Sequence, residues 1–103
     1  WIAVAMEGDL FEGAAIAVTP IDDEIAIYKT EAGEVFATDN ICTHDGHGRL
    51  CDGWLEGYEI ECPLHQGRFD IRSGQATMAP CSDAIRSYAA KIEDGRVWLR
   101  LVD

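Results

Sequence analysis

Apolar residues come along this chain in short runs broken by turn residues, and no stretch sustains a 3.6-residue stripe. Ile16 to Val18 and Ile25 to Tyr28 flank the turn signal Pro20-Ile21-Asp22-Asp23, and both read as strands. Glu34 to Thr38 follows Ala32-Gly33 as the return strand of a hairpin. Tyr58, Ile60 and Cys62 alternate with polar neighbours, as do Phe69 and Ile71, so these segments predict half-buried strands. Ser73-Gly74 is a turn. Asp94-Gly95 predicts a tight hairpin joining Ile85 to Ile92 with Val97 to Val102. Residues 8–16 offer at most one short helical turn, because two glycines weaken it.

The fold class expected from this pattern is all-β, a small antiparallel β-sandwich or barrel. With 103 residues and no linker, repeat or low-complexity stretch, the chain suits one domain spanning 1–103. The interval 39–56 breaks the pattern. It is rich in Gly and Asp, and a long irregular segment inside a compact domain is usually functional.

Charge narrows the partners. Eight Lys and Arg face nineteen Asp and Glu, a formal net charge of −11. Phosphate repels such a surface, so nucleic acid and anionic membrane are excluded as partners, whereas a basic protein surface suits it. No apolar run is long enough to cross a membrane as a helix, and no signal-peptide pattern is visible, so a cytoplasmic location is expected.

Four cysteines in a small chain fit either disulfides or a metal site. Two short motifs bear on the choice. Cys42-Thr43-His44 and Cys62-Pro63-Leu64-His65 each offer one thiolate and one imidazole, with seventeen residues between His44 and Cys62. Tetrahedral zinc accepts two Cys and two His, but its usual spacing pairs Cys with Cys and His with His. The mixed pattern suits a two-metal unit in which two cysteines converge on one iron and two histidines on the other.

The Cys-x-His and Cys-x-x-His pair resembles the Rieske signature. The run from Cys62 to Gly74 is similar to the Rieske ferredoxins of bacterial aromatic-ring-hydroxylating dioxygenases, of the naphthalene and biphenyl dioxygenase type. Trp1 to Val4, the Asp39-Asn40 lead-in and Lys91 to Val97 extend the resemblance over almost the whole chain. It implies a [2Fe-2S] cluster, one per chain, held by Cys42, His44, Cys62 and His65. It also implies two cluster-binding loops at one end of the β-fold, within about residues 40–81. The implied role is a soluble carrier of single electrons from a flavin-containing ferredoxin reductase to a terminal ring-hydroxylating oxygenase. Such a carrier is no enzyme and has no small-molecule substrate of its own. Alternative readings are an accessory Rieske-like subunit of a nitrite-reductase-type complex and a zinc-stabilised interaction module.

Respiratory Rieske proteins place a Ser and a Tyr where Gly67 and Phe69 stand here, and a disulfide where His47 and Leu64 stand. Losing hydrogen bonds to sulfur lowers the potential, so a value in the lower half of the family range of about −150 to +300 mV is expected.

His47 is a loop histidine near the cluster rather than a ligand. Cys51 and Cys81 match no ligand position and are expected as thiols. Pro80 matches a proline-bearing cover loop. Gly46, Gly48 and Gly67 either let backbone N–H groups approach sulfur or merely punctuate turns. Trp54 and Trp98 are expected to pack in the core or against loops. Asp45, Asp52 and Glu56 are candidates for docking a basic partner.

Overall fold

In the computed structural model, residues 1–20, 23–41, 49–63, 67–79 and 83–101 are described. Their strands are β1 (Ile2–Met6), β2 (Ala15–Val18), β3 (Ile25–Lys29), β4 (Val35–Asp39), β5 (Trp54–Glu56), β6 (Glu59–Glu61), β7 (Arg68–Asp70), β8 (Ala76–Met78), β9 (Ser87–Glu93) and β10 (Arg96–Arg100). Short 3₁₀ turns occupy Glu7–Asp9 and Leu50–Asp52.

All pairings are antiparallel, and they form a six-stranded sheet in the order β1-β10-β9-β4-β3-β2 and a four-stranded sheet β5-β6-β7-β8. The larger sheet curls, so that Val4 of β1 and Val18 of β2, on its two edges, line one shallow cleft. The expected all-β class therefore holds, as a curled half-barrel with a smaller sheet packed on it.

The run Ile25-Ala26-Ile27-Tyr28 decides how the layers stack. Successive strand residues point to opposite faces, and here all four are buried. Ile25 and Ile27 face inward with Leu10, Ala37, Val97 and Leu99, filling the curl of the large sheet. Ala26 and Tyr28 face outward, into a second core with Leu50, Ile60, Cys62, Phe69, Ile71 and Ile85. β3 is thus shared by both cores, and the small sheet closes over its outer face.

Alternation predicted the facing correctly. Ile60, Phe69 and Ile71 are buried while Glu59, Glu61, Arg68 and Asp70 are not. Asp94 and Gly95 adopt φ of 55° and 75°, and Glu93 pairs with Arg96 across them. This is the two-residue loop that requires left-handed backbone at both positions.

Strands β1, β5 and β8 were not expected. β5 and β8 have three residues each, too few to show a period, and β8 pairs with β7 through a bulge. β1 is an edge strand whose pairing with β10 is itself irregular. Of the residues 8–16 expected to hold a helical turn, only Gly8 and Asp9 are helical, as the end of the 3₁₀ turn Glu7–Asp9, and Ala15 and Ile16 belong to β2 instead.

Candidate metal centre

Of the four expected ligands, Cys62 lies among the described residues, and Cys42, His44 and His65 lie outside them, as do Asp45, Gly46, His47, Gly48, Leu64, Pro80 and Cys81. The described residues define the stems from which both loops spring.

The second stem is a hairpin. β6 and β7 pair up to Glu61 and Arg68, and one step further the Cys62 N–H donates to the Gly67 carbonyl at 2.8 Å. Cys62 and Gly67 therefore stand opposite each other at the end of the ladder, on either side of residues 63–66. The Cys62 side chain continues the inward face of Ile60 and is fully buried.

The first stem spans two sheets. The chain leaves β4 at Asp39, and Ile41 and Arg49, on either side of residues 42–48, form an antiparallel bridge. Asn40, fully buried, organises this crossing. Its carbonyl accepts from the Leu50 N–H at 2.7 Å, and its side-chain Oδ1 accepts from the Cys51 N–H at 2.9 Å. Its Nδ2 donates to Glu24 Oε1 at 3.3 Å. The Arg49 guanidinium grips the same carboxylate, Nε to Oε1 at 3.2 Å and Nη2 to Oε2 at 3.0 Å. Those bonds hold the Glu24 carboxyl below its ordinary range, with Arg49 the larger cause and Asn40 the next. Residues from three chain segments thus clamp positions 40–41 to 49–51.

The two stems meet. Leu50, just after the first loop, and Cys62, at the start of the second, are fully buried in the same core. Gly53 lies so close to β6 that a Cβ there would overlap the Glu61 carbonyl oxygen. Only glycine lets Trp54 pair with Glu61 at that distance. On the other side, a Cβ at Gly74 would overlap the Ile85 carbonyl, and the Ile85 N–H donates to the Gly74 carbonyl at 2.8 Å. The Gly53 contact and the shared core of Leu50 and Cys62 thus set the two stems side by side.

The donor chemistry fits an iron–sulfur group as far as it is described. A thiol at a rigid hairpin base, shielded from water and adjacent to the other loop's stem, is what a thiolate ligand to such a cluster requires. Among the described residues no three metal-ligating side chains converge.

Cys51 stands apart from this arrangement. Its thiol is in no disulfide and is half-buried, and burial is the main cause that pushes its pKa up. Phe69 is fully buried in the core, and the Gly67 carbonyl accepts from the Cys62 N–H. Trp98 packs half-buried, its Nε1 donating to the Glu93 carbonyl at 3.0 Å. Trp54 does not pack as expected, because it is 60% exposed. The reason is register: Trp54 pairs with outward-facing Glu61, while its neighbour Leu55 takes the inward position opposite Ile60.

In the sequence Asn40 stands out only as part of a lead-in, and nothing singles out Glu24 or Arg49. They are 16 and 25 positions from their partners, and no local pattern links them.

Comparison with known proteins agrees with this geometry. Residues 1–89 match the model of the Rieske [2Fe-2S] domain. The ferredoxin component of a naphthalene 1,2-dioxygenase system from Pseudomonas putida is 50% identical over 98% of this chain and 95% of its own length. The structure of a ferredoxin from Sphingomonas yanoikuyae B1 superposes with a TM-score of 0.87 at 39% identity, covering 95% of each chain. A ferredoxin chain solved in complex with the reduced oxygenase of carbazole 1,9a-dioxygenase superposes with a TM-score of 0.86 at 28% identity, covering 96% of this chain and 91% of that one.

Proposed function

The chain belongs to the Rieske [2Fe-2S] domain family, and from that premise we propose that it carries single electrons from a flavin-dependent reductase to the terminal oxygenase of an aromatic-ring-hydroxylating dioxygenase. The observation that carries this reading is 50% identity, over nearly the full length of both chains, to a ferredoxin component of such a system. The protein is a carrier, and the chemistry on the aromatic ring belongs to the oxygenase.

The bound [2Fe-2S] cluster supplies reversible one-electron reduction. The proposed ligands are Cys42 and Cys62 as thiolates and His44 and His65 as imidazoles, with His47, Cys51 and Cys81 not ligating. The chain's own contribution is to orient and shield. The β6–β7 ladder sets the direction of Cys62, and the Glu24–Asn40–Arg49 clamp sets both ends of the segment that carries Cys42 and His44. The buried packing of Leu50, Cys62 and Phe69 keeps water from the thiolate side. We further propose one domain over 1–103, with the loops within about 40–81.

A potential in the lower half of the range of about −150 to +300 mV is expected from the absent hydroxyls at Gly67 and Phe69; it suits delivery to an oxygenase rather than quinol oxidation, and a value above about +150 mV would overturn it. A cytoplasmic site of action is part of this proposal. No helix among the described residues is long and apolar enough to cross a membrane.

The test is reconstitution with the reductase and oxygenase of the Pseudomonas putida naphthalene system. The purified protein is expected to be coloured, to give a rhombic EPR signal on reduction, and to support turnover. Single removal of Cys42, His44, Cys62 or His65 abolishes the visible spectrum, and His47→Ala or Cys51→Ser leaves it. A colourless protein with one bound zinc would refute the reading.

A further inference from the structure

Among the described residues the exposed large apolar side chains are Trp1, Ile2, Met6, Phe11, Trp54 and Met78. Four lie in the first eleven positions. The other two, 60% and 50% exposed, sit on the small sheet in a single crosswise row. Trp54 pairs with Glu61, Glu61 with Arg68, and Arg68 with Met78, so all four project from the outer face. Adjacent strands lie about 4.8 Å apart, so the row spans about 14 Å. It is also the last row before the second loop, because Cys62 follows Glu61 and Gly67 precedes Arg68.

The charges of this face are unbalanced. Arg68 is the hub, its guanidinium within 3.6 Å of Glu56, 3.3 Å of Glu59 and 3.0 Å of Glu61. One cation answers three carboxylates. Glu56, on the same face as Trp54, is 81% exposed at its side chain, whereas nearby Asp52 is paired with Arg49 at 3.6 Å. Two apolar anchors set in net negative charge complement an apolar socket with a basic rim. Trp and Met are enriched at protein interfaces, and a central Trp often dominates binding energy.

We propose that the Trp54–Glu61–Arg68–Met78 row is a docking face for the terminal oxygenase, which meets it with an apolar socket bordered by Lys or Arg. This rests on the carrier reading above. The oxygenase is chosen over the reductase because the carbazole 1,9a-dioxygenase ferredoxin, similar to this chain, has been solved bound to its oxygenase. Trp54 adjoins the second stem, so seating it brings the cluster end against the partner.

The experiment measures two half-reactions with the holoprotein and the naphthalene-system partners: reduction by the reductase, and reoxidation by substrate-loaded oxygenase. Phe11→Ala serves as the control, since Phe11 lies beside Gly13 and the Lys29 end of β3, away from the stems. Trp54→Ala is expected to raise the oxygenase KM for the carrier about tenfold or more, and Met78→Ala about threefold, with kcat, potential and EPR spectrum unchanged. Glu56→Lys is expected to slow reoxidation at low salt and to flatten its salt dependence. The proposal is overturned if Trp54→Ala and Met78→Ala both stay within twofold of the wild type. It is equally overturned if the loss falls on reduction by the reductase instead. If the wild type itself fails to reduce the oxygenase, the carrier reading fails, and the docking face falls with it.

Discussion

The two loop stems solve the same problem in different ways. The second is held by backbone: an antiparallel ladder runs from Glu59–Asp70 to the Cys62–Gly67 bond, and its register follows from the pleat. The first has one isolated backbone bridge, Ile41–Arg49, and relies on side chains: Asn40, Glu24 and Arg49 join three segments where no extended ladder runs, because the chain is crossing from the large sheet to the small one. A ladder bond belongs to a cooperative array, so losing one side chain beside it changes little. A buried side-chain network leaves orphaned donors when one member goes. The first loop is therefore the one that single substitutions can loosen.

The contrast breaks most completely where the stems touch. Gly53→Ala puts a methyl against the Glu61 backbone, where no rotamer can relieve it, and is expected to lose at least about 3 kcal/mol. Thermal unfolding of the holoprotein measures this, and a fall in Tm of less than a few degrees would mean the stems are not in backbone contact.

The next effect separates the stems. Asn40→Ala removes the acceptor for the Cys51 N–H and one donor to Glu24, in a fully buried site, and is expected to lose about 2–3 kcal/mol. It should also speed release of the cluster, followed as bleaching of the visible spectrum under chelator. Glu24→Gln weakens the Arg49 grip, so it should raise that release rate severalfold at nearly unchanged Tm. Glu59→Gln, a partner of Arg68 on the second stem, should leave the rate unaltered. Equal release rates in Glu24→Gln and Glu59→Gln would show that side chains and ladder hold the loops alike.

The smallest effect lies at the edge of the first stem. Asp39 accepts from the Tyr88 hydroxyl at 2.6 Å and from the Arg86 N–H at 3.1 Å. Burial, then the bond to Asp39, pushes the Tyr88 pKa up to about 12. An unfolded tyrosine titrates near 10, so this contribution to stability is complete below about pH 10 and is lost as pH rises towards about 12. Solvent screening keeps it below about 1 kcal/mol. Urea unfolding of Tyr88→Phe should show a deficit at pH 9 that closes by pH 12, and a deficit that widens instead would reverse the assignment.

Hairpin chemistry and period-two alternation were legible in the sequence because each is encoded within a few adjacent residues. Asp94-Gly95 demands left-handed backbone, and Ile60, Phe69 and Ile71 announce which face of their strands is buried. The pairing of one cysteine with one histidine in each of two motifs is likewise a local pattern, because residue type and spacing reside in the primary structure. Tertiary structure alone decided that β3 serves two cores, that Gly53 is pressed against Glu61, and that Glu24 reaches Asn40 and Arg49. It alone also turned Trp54 outward, against the expectation that it packs inside. Those outcomes depend on how one sheet seats on another, and such contacts join residues that share no local period.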